Sequence, residues 1–91
     1  MAAGYTVIKA DQAIYKDGEA IMGCEMVGLP EDFHALQWDG TNGLVEYVGN
    51  IKPNLTILSE SEIESALGVS LSTLIERRDK IIAEIEAERK I

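Results

Sequence analysis

The sequence predicts an α+β fold: a small antiparallel sheet of β-hairpins, followed by a short helix and a long C-terminal helix. Three observations point there. Seven of the eight glycines, both prolines and every aromatic residue precede residue 59. Apolar residues alternate with a period of two in that front part, and recur at spacings of three and four behind it. Asp17-Gly18 and a second Gly-containing stretch, Gly40-Thr41-Asn42-Gly43, separate runs of strand character. The chain therefore divides into a β-rich hairpin domain, 1–58, and a helical region, 59–91.

"YTVIKA" (5–10) is a β-branched run and reads as a strand. In "QAIYKDGEAIM" (12–22), Asp17-Gly18 can supply the two positive-φ residues of a type I′ turn. That register sets Lys16 opposite Glu19 and Ile14 opposite Ile21, pairing opposite charges and apolar side chains. "GCEMVGLPEDF" (23–33) carries Gly and Pro and reads as a loop, with Cys24–Val27 a candidate strand extension. Phe33–Trp38 and "GLVEYV" (43–48) both alternate. With Gly40–Gly43 as the loop, Trp38 faces Val45 and Leu36 faces Tyr47, leaving Gln37 and Glu46 on the other side. Phe33, Leu36, Trp38, Val45 and Tyr47 are the expected support of the fold. "KPNLTIL" (52–58) adds a short strand that Pro53 confines to an edge or to its start.

The helical region opens on "SESEIESALG". Ser59 with Glu62, or Ser61 with Glu64, fits a capping box, and Gly68 fits the helix end. A helix of about two turns is too short to stand alone in water. "VSLSTLIERRDKIIAEIEAERKI" (69–91) is the longest regular element, with Ser70 or Ser72 as N-cap. Leu71, Leu74, Ile75, Arg78, Ile81, Ile82 and Ile85 form one apolar stripe with an arginine inside it. Glu76–Lys80 and Glu86–Lys90 are i,i+4 pairs in the favourable order. Such a helix runs about 30 Å, longer than a thin β-core can cover. Either it folds back onto the sheet or its stripe engages another chain. Arg78, and then Glu88 or Arg89, interrupt a strict heptad, so a self-sufficient coiled coil is not expected.

Composition narrows the function classes. Sixteen acids against eight bases give a net charge of −8. No basic stripe exists to displace counterions, which argues against nucleic acid and against anionic membranes. No stretch approaches the 18 apolar residues of a membrane span. "MAAGYTVIKA" lacks the basic and long apolar regions of a signal peptide. The single cysteine, Cys24, has no second thiol for an internal disulfide or a structural zinc site, which suits a reducing compartment.

Catalytic constellations are weak. His34 is the only histidine. On an alternating strand it shares the face of Leu36 and Trp38, where a packed or edge position is expected rather than a catalytic one. Cys24 and His34 form no recognised nucleophile–base motif. The acids Glu31/Asp32 and Glu60/Glu62/Glu64 fall at a loop end and a helix start, without calcium-loop spacing. The glycines near 40–43 match neither a phosphate-cradling nor a dinucleotide motif. The expected protein is no enzyme and takes no cofactor or metal.

Two blocks carry a family resemblance. "LPEDFHALQWDGTNGLVEY" (29–47) resembles the N-terminal signature of small proteins encoded beside tail-fibre genes in tailed bacteriophages. "ERRDKIIAE" (76–84) resembles the C-terminal helix of the phage tail assembly chaperone family. The family helix continues into Ser/Thr-Asp-Trp, whereas here Ile85-Glu86-Ala87 follow. The resemblance implies a non-enzymatic, protein-binding role in tail or tail-fibre assembly in the host cytoplasm. A permanent structural subunit of the tail or its fibres is the alternative. The implied partner is a tail or tail-fibre protein, and a homo-oligomer is compatible with the stripe. Leu71, Leu74, Ile75, Arg78, Ile82 and Ile85 are the expected partner-binding residues, because the stripe is longer than the small core.

Overall fold

The structure, a computed structural model, describes residues 4–49 and 52–89. Six strands and two helices follow one another: β1 (Tyr5–Ile8), β2 (Ala13–Lys16), β3 (Glu19–Ile21), β4 (Phe33–Trp38), β5 (Gly43–Tyr47), β6 (Leu55–Ile57), α1 (Glu60–Leu67) and α2 (Leu71–Arg89). The strands form one sheet in the order β3-β2-β1-β4-β5-β6, each neighbour antiparallel to the next. The α+β class is as the sequence predicts.

The β2–β3 hairpin has the expected register, Lys16 opposite Glu19 and Ile14 opposite Ile21. Asp17 and Gly18 both take positive φ, 50° and 88°, so the turn twists with the strands. β1 joins the two hairpins by pairing with β2 on one side and β4 on the other. The connection from β3 to β4 crosses the sheet as a loop and buries Cys24, Met26 and Leu29 in the core. Cys24–Val27 do not extend a strand.

The β4–β5 hairpin departs from the expected pairing. Trp38 faces Gly43 and Leu36 faces Val45, while Tyr47 faces Phe33. The turn is Asp39–Asn42, one residue earlier than the glycine spacing suggests. The Asp39 carboxylate explains this: its Oδ1 accepts the backbone N–H of Thr41 at 2.8 Å and of Asn42 at 2.7 Å. An Asp side chain that closes its own turn sets where the turn begins. The pairing moves by two positions, so both strands keep their faces. A bulge between Phe33 and Ala35 adds a second departure. It lets Phe33, Leu36 and Trp38 all point into the core and puts His34 outside, exposed rather than on the apolar face.

One face of the sheet is the core. Val7, Ile14, Leu36, Val45 and Ile57 meet Ile63, Leu67, Leu71 and Leu74 from the helices in a single cluster. Ser59 caps α1, its Oγ accepting the Glu62 N–H at 3.4 Å, while Glu62 Oε2 accepts the Leu58 N–H at 2.7 Å. Gly68 ends α1 in the left-handed conformation, its N–H donated to the Glu64 carbonyl. Ser70, not Ser72, caps α2 by accepting the Thr73 N–H at 3.2 Å. α1 packs beside β6, and α2 passes over β2 and β3.

Candidate protein-binding surface

The stripe on α2 divides into two parts. Leu71 and Leu74 are buried against Ile63 and Leu67, and Arg78 is buried with them. These three expected partner-binding residues belong to the chain's own core, so a partner docking on the folded protein does not meet them. A 3.6-residue period shows that side chains share a face, not how far the chain's own sheet reaches along it. Beyond Arg78 the cover thins. Ile81 and Ile82 are half-buried, as Ile75 already is before Arg78, and Ile85 is 37% exposed.

The distal part lies beside the edge strand β3. Ile82 and Ile85 of α2 and Ile21 of β3 line a shallow groove of about 200 Å³, with Glu19, Glu86 and Arg89 around it. Ile21 and Glu19 were not expected there from the sequence. The available signal was the predicted hairpin register, which places Ile21 beside Ile14 on the helix-facing side. Arg77 holds the helix from its flank, Nη1 donating to the Glu25 carbonyl at 3.1 Å.

Arg78 is unusual chemically. Its side chain is buried, its Nε has no hydrogen-bond acceptor among the described residues, and Nη1 lies 3.8 Å from Asp79 Oδ1. A buried guanidinium with so little compensation is a cost to the fold. Burial pushes the nearby Cys24 thiol above its ordinary pKa, and the Ile14 backbone hydrogen bond and the Arg78 charge pull against it. A raised pKa disfavours the thiolate that a nucleophile needs. The Cys24 thiol instead donates to the Ile21 carbonyl at 3.3 Å. Cys24 is a buried residue of the crossing loop while His34 is exposed on the bulge, and no hydrogen bond joins them.

A polar cluster ties the far loops together. Lys52 pairs with Asp32 at 2.5 Å and lies 4.6 Å from the centroid of the Tyr47 ring. The Asp32 carbonyl accepts the Val48 N–H at 2.8 Å. Among the described residues, no helix is long and apolar enough to cross a membrane. No protein-family model matches this chain, and no curated protein or solved structure matches it either.

Proposed function

We propose that this chain is a non-enzymatic, protein-binding factor in bacteriophage tail or tail-fibre assembly, acting as a chaperone in the host cytoplasm. The resemblance of residues 29–47 and 76–84 supplies the setting. The observation that carries the binding role is the uneven cover of α2: its first half is anchored in the core, while Ile82 and Ile85 continue past it beside Ile21. A helix held at one end offers its free end already ordered, so a partner need not supply the cost of folding it. In this mechanism Ile82 and Ile85, with Ile75 at their base, cover apolar surface on a nascent tail or fibre protein until that surface finds its place in the particle.

Co-expression with a bacteriophage tail-fibre protein, followed by pull-down and light scattering, tests this reading. Complex formation with reduced scattering of the fibre protein is the expected result. Failure to bind or solubilise any tail protein overturns it. Mass spectrometry of purified particles separates the chaperone from the permanent structural subunit, which is present in fixed stoichiometry on the mature tail.

A further inference from the structure

The sheet has a second face. Strand alternation places Thr6, Ile8, Tyr15, Gln37, Leu44 and Glu46 opposite the face of Val7, Ile14, Leu36 and Val45. Both helices and the buried residues of the crossing loop pack on the core face. Ile8, Tyr15 and Leu44 stay half-buried and line an open concavity of about 670 Å³, closed at one end by the turns of Asp17 and Asp39.

The charged side chains that line this concavity are the carboxylates of Asp17 and Asp39, and Glu46 lies beside it on the same sheet face. Asp17 Oδ1 accepts the Gly4 N–H at 3.2 Å, and Asp39 Oδ1 accepts the N–H groups of Thr41 and Asn42. Gln37 Nε2 is already donated to Glu46 Oε1 at 2.6 Å. Each of the three carboxylates keeps a second oxygen free of these bonds. No lysine or arginine of the described strands points to this face: Lys16 shares the side of Ile14. Lys9 and Lys52, which flank the strands, are held by the Pro30 carbonyl and by Asp32. The charge of the chain is also lopsided. Residues 1–70 hold eleven acids and three bases, whereas residues 71–91 hold five of each.

We infer that this face is a docking site for a basic segment of a partner protein, one that sets an aliphatic or aromatic side chain on Ile8, Tyr15 and Leu44 and flanks it with Lys or Arg. An apolar floor with two carboxylates at one end and a third beside it is satisfied by apolar surface edged with cationic donors. A second copy docked through this same face would oppose one acidic rim with another, and a phosphate backbone meets the same repulsion. The inference does not depend on the tail-assembly reading, because it uses a different surface.

The test is shift mapping by heteronuclear NMR on the full chain, with two synthetic peptides as probes: one with a Lys-Leu-Lys-Phe-Lys core and its Glu-for-Lys counterpart. The expected result is salt-sensitive binding of the Lys peptide, with shifts centred on Thr6, Tyr15, Gln37 and Leu44, and none from the Glu peptide. An Asp17→Asn/Asp39→Asn variant weakens it roughly three- to tenfold, the worth of two exposed charge pairs. Asn keeps a side-chain carbonyl oxygen for the N–H groups of Gly4, Thr41 and Asn42 and tolerates the positive φ at position 17, so the fold is kept. Absence of binding, shifts centred on α2, equal binding of the Glu peptide, unchanged affinity in the double variant, or self-association through this face each overturns the proposal.

Discussion

Trp38 lies directly across the β4–β5 pair from Gly43, and the Gln37 carbonyl and the indole together occupy the space that a side chain at 43 would need. A methyl group there would run into the Gln37 carbonyl oxygen and stand 3.0 Å from Trp38 Cε3. Gly43 is not needed for an unusual backbone angle. It is needed because the tryptophan and the neighbouring backbone come this close. Gly43→Ala is therefore expected to lower stability by about 1–3 kcal/mol, the usual cost of overpacking. Chemical denaturation followed by the fluorescence of Trp38, the single tryptophan, reads this directly. An unchanged midpoint would show that the indole and backbone move aside at no cost.

This pairing also marks how far the sequence could be read. Local chemistry was legible. Asp17-Gly18 specified its hairpin and register and Gly68 the end of α1, while each N-cap was narrowed to two serines, Ser59 or Ser61 and Ser70 or Ser72, because each of these acts on atoms a few residues away. Trp38 against Gly43 was not legible. A shift of two positions keeps every side chain on its face, so alternation cannot distinguish it from Trp38 against Val45. The bulge beside His34 was missed for a related reason: a strict period of two has no place for an extra residue. On α2, periodicity found the stripe but not its division at Arg78. That division depends on where β2 and β3 lie beneath the helix, which is a matter of long-range packing.

Arg78 gives the second prediction. Its Nε is buried without an acceptor among the described residues and its one ion pair, to Asp79, is long, so replacing it by an apolar side chain of similar length removes a poorly compensated buried charge while keeping the packing. Arg78→Met is expected to leave stability unchanged or raise it by about 1–2 kcal/mol. Arg78→Ala, which also removes the aliphatic stem, is expected to be the less stable of the two variants. The comparison is made by thermal and urea unfolding. If Arg78→Met is markedly destabilising, the guanidinium has compensation that its contacts do not reveal.

The pair Asp32–Lys52 sets a pH dependence. The Lys52 hydrogen bond holds the Asp32 carboxyl below its ordinary pKa, and the same bond raises Lys52. A lowered carboxyl stabilises the fold above its unfolded pKa, about 3.9, and loses that contribution as the pH falls through its folded value. A raised lysine stabilises below its unfolded pKa, about 10.4, and loses that contribution as the pH rises through its folded value. Asp39, held low by the backbone N–H groups of Asn42 and Thr41, adds to the acid limb with the same sign. Asp32→Asn should therefore be less stable than the parent near neutrality, with the difference closing in acid. Both partners are solvent-accessible, so the effect is small and shrinks with added salt. Urea midpoints taken across the acid limb check it, and a constant gap at every pH would rule out this linkage.

The two halves of α2 should separate stability from binding. Leu74 is fully buried in the shared core, so Leu74→Ala opens a cavity and should cost about 2–5 kcal/mol, a large fraction of what so small a domain has. Ile85 lies past the core and keeps 37% of its surface exposed, so Ile85→Ala should cost under about 1 kcal/mol. If the distal helix is the part offered to a tail protein, the order reverses in a co-expression assay matched for folded protein. Ile85→Ala, and more strongly Ile82→Ala/Ile85→Ala, would then lose partner retention while their unfolding curves stay near the parent. Leu74→Ala would lose retention only in proportion to the fraction unfolded. Full retention by the Ile82/Ile85 double variant would place the contact elsewhere, because no substitution in the buried half can be read as a contact effect once it has altered the core.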